Sequence, residues 1–224
     1  MGQVRTMIAG IRIKVCGLTT LVDAEAADAA GADFLGFIFY PKSPRYVSLA
    51  QWRAMAPRLP PRKKVAVAVA PAVEDLKAWD DAGFDAFQIH FPVATPTAMV
   101  AKWAEVVGPE RLWIAPKIPP GTAFPPEFLL HARTVLWDTY VSEGYGGTGR
   151  TGDWAGFRVA SEEHPNATWI LAGGLAAENV GVALAATGAK LLDVNSGVES
   201  APGLKDPGKL REFFASVRSA AGHS

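Results

Sequence analysis

Eight near-continuous apolar runs, rich in Val, Ile, Leu and Phe, recur along this chain and alternate with helix-like stretches of alanine and mixed charge. Such runs are typical of strands that are buried on both faces of a parallel sheet. Eight strands that alternate with helices predict an α/β fold, a single (β/α)8 TIM barrel. The predicted strands lie at 11–16, 33–39, 64–69, 85–90, 111–115, 134–138, 168–172 and 190–194.

Local signals between the runs indicate where helices begin and end. Thr20 followed by Asp23 is a capping-box variant that predicts a helix over 21–30, and Gly31 is placed to end it. The stretch 116–126 contains five prolines. Because proline lacks the backbone N–H that an α-helix needs in its interior, we expect the fifth helix to be short or irregular.

Length and charge limit the class of protein. The 224 residues favour one domain over 1–224, with 1–10 as an N-terminal extension and 220–224 as a C-terminal tail. Lys plus Arg equal Asp plus Glu at 22 each, which argues against a nucleic-acid partner. No apolar run approaches the ~20 residues of a membrane span and no secretory signal is visible, so we expect no membrane contact and a cytoplasmic location.

A glycine-rich segment follows the sixth predicted strand. Asp138 ends that strand, and four glycines then occur within the six residues 144–149. Such a loop can curl so that successive N–H groups point at one anion, and Asp153 can cap the helix that follows. The segment therefore predicts a phosphate-binding loop beside a candidate acid.

Two other interpretations of this segment come from its residues alone. It matches the P-loop pattern of nucleotide triphosphatases except that Arg150 stands where the pattern has lysine. It is also compatible with an ordinary glycine-rich turn.

Residues suited to acid–base chemistry or anion binding follow nearly every predicted strand. In a TIM barrel the active residues lie at the carboxyl ends of the strands, and phosphate binds to the loops after strands seven and eight. The residues at these ends are Cys16-Gly17, Tyr40 to Arg45, Gln88-Ile-His90, Asp138, Gly173-Gly174 and Asp193-Val-Asn-Ser196-Gly197.

The order of these motifs resembles that of the phosphoribosylanthranilate isomerase family of tryptophan biosynthesis. The resemblance covers about residues 11 to 219. Its motifs are Lys14-Val-Cys16-Gly17-Leu-Thr19, Gly36-Phe-Ile-Phe-Tyr40-Pro-Lys42-Ser43-Pro-Arg45, Gly144-Tyr-Gly146-Gly147-Thr148-Gly149, Ala172-Gly173-Gly174 and Asp193-Val-Asn-Ser196-Gly197-Val-Glu199 followed by Pro202-Gly203-Leu-Lys205-Asp206.

The resemblance implies an Amadori rearrangement of N-(5-phosphoribosyl)anthranilate to 1-(2-carboxyphenylamino)-1-deoxyribulose 5-phosphate, without cofactor or metal. By the same resemblance Cys16 is the general base and Asp138 the general acid, which requires a raised pKa for Asp138. The residues by themselves also allow an inert buried cysteine and a turn carboxylate. A single cysteine excludes an internal disulfide and a multi-cysteine metal site.

The substrate-binding residues are also carried over from the family. Arg45 corresponds to the residue that holds the anthranilate carboxylate, Asp193 is expected to hydrogen-bond the sugar hydroxyls, and Gln88 and His90 match the motif of strand four. A histidine at a strand end is more often a packed residue than a catalyst. The expected phosphate-binding residues are Gly147, Thr148, Gly149, Gly173, Gly174, Ser196 and Gly197.

The implied partner is a small-molecule substrate, a phosphorylated sugar that carries anthranilate, and the chain is expected to be a monomer or a homodimer. One alternative is the histidine-pathway isomerase, which uses the same chemistry and would carry aspartate at position 16. Another is a non-catalytic phosphate-ligand binding protein, which would have an altered acid or base. The chain departs from the family pattern at Phe91-Pro92 and at Pro116. It also has Asn195 at a position where the family commonly has serine.

Overall fold

The computed structural model describes residue 8 and residues 10–139 and 152–222. Eight parallel strands form a closed barrel in sequence order, and the last strand pairs with the first. The predicted TIM barrel is confirmed, and every strand end lies within two residues of its expected position. The strands are β1 (Arg12–Val15), β2 (Phe34–Ile38), β3 (Lys63–Val69), β4 (Ala86–Pro92), β5 (Leu112–Lys117), β6 (Thr134–Trp137), β7 (Thr168–Leu171) and β8 (Leu191–Val194).

Helices cover the outside of the barrel. Between β5 and β6 there is only a 3₁₀ helix, Pro126–Leu130, which confirms the irregular fifth unit expected from the prolines. Within the described ranges, no helix is both long and apolar enough to cross a membrane. The α-helices are α1 (Leu21–Ala30), α2 (Leu49–Met55), α3 (Val73–Asp80), α4 (Thr97–Val107), α5 (Trp154–Glu163), α6 (Val180–Thr187) and α7 (Pro207–Ala221).

The predicted helix ends are present. The Thr20 hydroxyl accepts a hydrogen bond from the N–H of Asp23 at 3.1 Å and donates one to its carboxylate at 2.9 Å. Gly31 ends α1 with φ +119°, a left-handed conformation that glycine adopts without steric cost. Asp153 accepts from the N–H of Gly156 at 2.9 Å and so caps α5.

Alternate residues of each strand face the inside of the barrel, because side chains in a strand alternate between its two faces. The intervening residues, such as Ile13, Phe37 and Phe87, pack in a second apolar layer beneath the helices. Apolar residues that fill the barrel include Phe34, Val65, Trp113, Leu136, Ile170 and Leu191. Asp138 lies two residues after Leu136, and Asp193 lies two residues after Leu191. Because side chains two residues apart in a strand share a face, both carboxyl groups point to the inside of the barrel near its mouth.

A short segment after β8 returns to the mouth of the barrel. It contains a 3₁₀ turn, Ser196–Val198, and then an antiparallel hairpin of β9 (Glu199–Ala201) and β10 (Leu204–Lys205). The side chains of Glu199 and Lys205 are buried. This hairpin therefore adds charged groups to the barrel mouth that do not come from the eight strands.

Candidate active site

A cavity opens at the carboxyl ends of the strands, on the face where the sequence predicted the site. Gly197 is not part of its lining, and Gly147, Thr148 and Gly149 lie outside the described residues. The predicted site residues that line the cavity are Cys16, Arg45, Gln88, His90, Asp138, Gly173, Gly174, Asp193 and Ser196.

A buried ion pair lies beside the only cysteine of the chain. Lys14 precedes Cys16 by two residues, so both side chains leave β1 on its interior face. The Lys14 ammonium donates to both carboxylate oxygens of Asp193 at 2.9 Å. A Cβ at Gly36 would lie 2.9 Å from Lys14 Cε and 3.1 Å from Cys16 Sγ, so glycine is needed at position 36 to leave room for both.

Burial and charge have opposite effects on Cys16. Burial raises the pKa of the thiol above its ordinary value, and the nearby Lys14 ammonium opposes that rise. Burial also disfavours the charged form of Lys14, but the Asp193 carboxylate outweighs it and the pKa of Lys14 is raised. The thiol is therefore protonated at neutral pH, next to a permanent positive charge that favours its thiolate.

Asp138 follows β6 directly and reaches the same cavity from another part of the barrel wall. Burial raises its pKa to about 6, although a hydrogen bond of 2.8 Å from the N–H of Thr139 opposes the rise. A carboxyl group with this pKa holds and releases a proton near neutrality. The expected elevation of its pKa is therefore present.

Gln88 and His90 lie on β4 and face the cavity together. The Gln88 amide nitrogen lies 2.8 Å from His90 Nε2, and burial lowers the pKa of His90 to about 3. His90 is thus neutral, and with the amide oriented this way its Nε2 accepts the hydrogen bond. The Gln88 carbonyl oxygen is buried and has no hydrogen-bond partner among the described residues, so it remains available as an acceptor.

Arg45 reaches the cavity from the segment after β2 and is bound by a residue that the sequence analysis did not assign. Its Nε and Nη2 donate to the two carboxylate oxygens of Glu199 at 2.9 and 2.7 Å. Lys205 donates to the same carboxylate at 2.9 Å and to the side-chain oxygen of Asn195 at 2.9 Å. Burial raises the pKa of Glu199, but the hydrogen bonds from Arg45 and Lys205 outweigh it and lower the pKa below its ordinary value.

The glycines after β7 and β8 differ in their surroundings. Gly173 has φ +86°, and a Cβ there would lie 2.0 Å from the Thr139 hydroxyl. A Cβ at Gly197 would lie 2.0 Å from the carbonyl oxygen of Leu175, so Gly197 allows the loops after β7 and β8 to touch. Gly174 and Ser196 line the cavity.

Sequence reasoning did not assign roles to Lys14, Glu199 and Lys205, although all three occur in the motifs quoted above. The signal for Lys14 was a charged residue inside an apolar strand, where an unpaired charge would be costly. Glu199 and Lys205 carried no comparable signal. Among residues 8, 10–139 and 152–222, no group of three His, Cys, Asp or Glu side chains could hold a metal ion.

Comparison with known proteins agrees with this geometry. The family model for N-(5'-phosphoribosyl)anthranilate (PRA) isomerase matches residues 13–216. The chain is 39% identical over 222 residues to the N-(5'-phosphoribosyl)anthranilate isomerase of Cereibacter sphaeroides, with 94% of this chain and 100% of that protein covered.

Solved structures of the same enzyme share the barrel. The phosphoribosyl anthranilate isomerase of Thermus thermophilus is 33% identical, with a TM-score of 0.77 over 93% of this chain and 99% of the other. A phosphoribosyl anthranilate isomerase solved with reduced 1-(o-carboxyphenylamino)-1-deoxyribulose 5-phosphate is 30% identical, with a TM-score of 0.71 over 93% of this chain and 99% of the other. Because these matches run through almost the whole barrel, including the strands that form the cavity, this chain belongs to the N-(5'-phosphoribosyl)anthranilate isomerase family.

Proposed function

We propose that this chain catalyses the Amadori rearrangement of N-(5'-phosphoribosyl)anthranilate to 1-(2-carboxyphenylamino)-1-deoxyribulose 5-phosphate. The observation that carries the proposal is the pair formed by Cys16 and Asp138. One is a thiol beside a buried ammonium, the other is a carboxyl group with a pKa of about 6, and both face one cavity. Such a pair can donate a proton at one point of a substrate and accept one at another.

Asp138 acts first, as the acid. Its proton passes to the ring oxygen of the ribose as the C1–O bond breaks, and the lone pair of the anthranilate nitrogen forms the C1–N double bond. The sugar opens to an iminium ion, and Asp138 is left as a carboxylate. The electron-poor C1 makes the proton on C2 more acidic.

Cys16 acts second, as the base. Its thiolate takes the proton from C2, and the electrons of that C–H bond move into a C1–C2 double bond and neutralise the nitrogen. The resulting enol becomes the ketone when C1 gains a proton and the C2 hydroxyl loses one. The atoms of substrate and product balance, as an isomerisation requires.

The reaction starts from the state in which Asp138 is protonated and Cys16 is a thiolate. In that state the pair holds one proton, and the proton is on Asp138. At neutral pH one proton is shared by the pair and lies mostly on sulfur, since the pKa of Cys16 is above its ordinary value and that of Asp138 is about 6. Lys14 lowers the free energy of the productive arrangement, because its ammonium stabilises the thiolate. Asp193 keeps that ammonium in place at 2.9 Å.

The remaining predicted residues bind the two ends and the middle of the substrate. Gly173, Gly174 and Ser196 grip the phosphate on the loops after β7 and β8, where TIM barrels bind phosphate, and the family resemblance adds Gly147, Thr148 and Gly149 to this grip. Arg45 binds the anthranilate carboxylate. The unpaired carbonyl oxygen of Gln88 accepts a hydrogen bond from a sugar hydroxyl, and Asp193 does the same with lone pairs that Lys14 does not occupy.

Turnover of the substrate, followed by the loss of anthranilate fluorescence, tests this proposal. We expect wild type to be active, and Cys16→Ala and Asp138→Asn to lose roughly 10²–10⁴-fold in kcat, the range of general acid–base catalysis. Cys16→Ser is a matched control for shape, because a serine hydroxyl fills nearly the same space but ionises far less readily than a thiol and so supplies no anionic base near neutral pH. All three variants should bind the reduced product analogue with nearly wild-type affinity.

Two results would contradict the proposal in different ways. A wild-type protein that binds the analogue but does not turn over the substrate is a binding protein. A Cys16→Ala variant with wild-type kcat would mean that another group takes the C2 proton.

A further inference from the structure

We propose that Glu199 is a positioning residue that orients Arg45 toward the aromatic carboxylate of the substrate. The β9–β10 hairpin would then determine how strongly the enzyme prefers a substrate that carries that carboxylate. This inference rests on the proposed function and deepens it. Glu199 acts through Arg45 and does not line the cavity.

The two hydrogen bonds between Arg45 and Glu199 define the direction of the guanidinium. Glu199 occupies the edge formed by Nε and Nη2, at 2.9 and 2.7 Å. A guanidinium has a second edge, formed by Nη1 and Nη2, which matches a carboxylate equally well. Because the first edge is bound in two places, the second is fixed in one orientation. Arg45 lines the cavity, and the edge that Glu199 leaves open is the one with which it would bind a carboxylate there.

Arg45, Glu199 and Lys205 form a charged cluster, in which Glu199 fixes Arg45 without cancelling the positive charge. Its carboxylate is shared between Arg45 and Lys205, and it also accepts from the N–H of Gly203 at 3.2 Å. The cations Arg45 and Lys205 and the anion Glu199 leave one net positive charge among these three side chains, and the Lys209 ammonium donates to the backbone carbonyl of Glu199 at 2.7 Å. The side chains of Glu199 and Lys205 are 4% and 0% exposed, so solvent screens this charge only weakly. A bound carboxylate would complete the balance of charge.

The same cluster fixes the position of Arg45 relative to the base. Gly17 follows Cys16 directly, and a Cβ on it would lie 2.6 Å from both Arg45 Cδ and Asn195 Oδ1. The arginine side chain therefore passes over the backbone next to the thiol, and the amide of Asn195 lies on the same glycine. Lys205 Nζ holds Asn195 through its side-chain oxygen and its backbone carbonyl, at 2.9 and 3.2 Å. Glu199, Lys205 and Asn195 thus connect the carboxylate-binding edge to the loop that follows Cys16.

The test compares two inhibitors that differ in one group. One is reduced 1-(o-carboxyphenylamino)-1-deoxyribulose 5-phosphate, and the other is the same compound without the ring carboxylate. The quantity measured is the ratio of their inhibition constants, since damage to the barrel or to the phosphate site affects both compounds alike. In wild type the carboxylate compound should bind more tightly, and Arg45→Met should remove most of that preference.

We expect Glu199→Gln to reduce the preference by roughly 10- to 100-fold, the equivalent of losing hydrogen bonds to a charged group. Its KM for the substrate should rise more than its kcat falls, because Arg45 binds a group remote from the reacting atoms. Lys205→Met should also reduce the preference, since the cluster then carries no net charge. Glu162→Gln is the matched control, because Glu162 pairs with Arg158 at 2.9 Å on the exposed face of α5 and should leave the ratio unchanged.

A Glu199→Gln variant that keeps the wild-type ratio while Arg45→Met loses it would overturn the inference. So would a Lys205→Met variant with the wild-type ratio, and this second variant decides the question if Glu199→Gln does not fold. Failure of the proposed function looks different, because wild type would then show no turnover of the substrate, whatever the ratio of the two inhibition constants.

Discussion

The ammonium of Lys14 lies 2.9 Å from both carboxylate oxygens of Asp193, and the two residues are 0% and 8% exposed. The pair joins the first and last strands of the barrel, whose backbones are in register at these two positions. It also places a positive charge beside Cys16. The Lys14–Asp193 pair therefore contributes both to the closure of the barrel and to the ionisation of the Cys16 thiol, the proposed base.

Removal of one partner of this pair should be more damaging than removal of both. Lys14→Met leaves the Asp193 carboxylate buried without its cation, which should lower the free energy of unfolding by about 3–5 kcal/mol. The double variant Lys14→Met/Asp193→Asn should recover part of that loss, because no buried charge remains unpaired. Urea denaturation of the two single variants and the double variant at pH 7.5 measures the coupling. Additive losses would mean that the two groups do not interact.

Asp138 should reduce stability at neutral pH, because its carboxyl group must ionise where burial disfavours the charged form. Its folded-state pKa of about 6 lies above the ordinary value of 3.8, so the folded state binds the proton more tightly than the unfolded chain. The cost of ionising this half-buried carboxyl group therefore appears as the pH rises from about 4 to 6. Asp138→Asn should therefore have a free energy of unfolding roughly 3 kcal/mol larger than that of wild type at pH 7.5. The difference should vanish below pH 4, where the wild-type carboxyl is protonated.

The pH profile of kcat/KM should rise through about pH 6 and then level off. Below this pH, Asp138 and Cys16 together hold two protons, and the thiolate cannot form without the loss of one. Above it the pair holds one proton, which can be on Asp138 while sulfur is ionised. The residual activity of Asp138→Asn should show no inflection near pH 6. A wild-type rate that falls through pH 6 would mean that the thiolate is not required.

Alanine should destabilise the protein much more at Gly173 than at Gly188, another glycine with positive φ. Gly173 and Gly188 both have positive φ, at +86° and +65°, but a Cβ at Gly173 would lie 2.0 Å from the Thr139 hydroxyl and a Cβ at Gly188 would meet nothing within 4 Å. Gly188→Ala should cost only the strain of the left-handed conformation, about 1–2 kcal/mol. Gly173→Ala adds overpacking of roughly 1–3 kcal/mol and should raise KM, since the loop moves beside Asp138. Equal losses of stability and an unchanged KM would contradict this.

The sequence was sufficient to predict the barrel and its irregular fifth unit, and it placed the proposed acid and base at strand ends that line one cavity. Buried parallel strands leave a pattern of apolar runs that can be seen locally, and prolines such as Pro125 and Pro126 act on the backbone where they occur. The positions of Cys16 and Asp138 at the barrel mouth could be predicted because the carboxyl end of each strand can be located from the local sequence. Their roles came from the resemblance of the motifs around them.

Only the tertiary structure decided which charges are paired. Lys14 lies 179 residues from Asp193 in sequence, and Arg45 lies 154 residues from Glu199. Nothing in the local sequence of either residue specifies its partner, because the choice depends on closure of the barrel and on the hairpin that follows β8. The local sequence likewise does not show that Gly197 lies so close to Leu175 that an added Cβ would meet its carbonyl oxygen. Local patterns determine which elements form and where their ends lie, whereas ion pairs and close contacts depend on distances that exist only after the elements pack together.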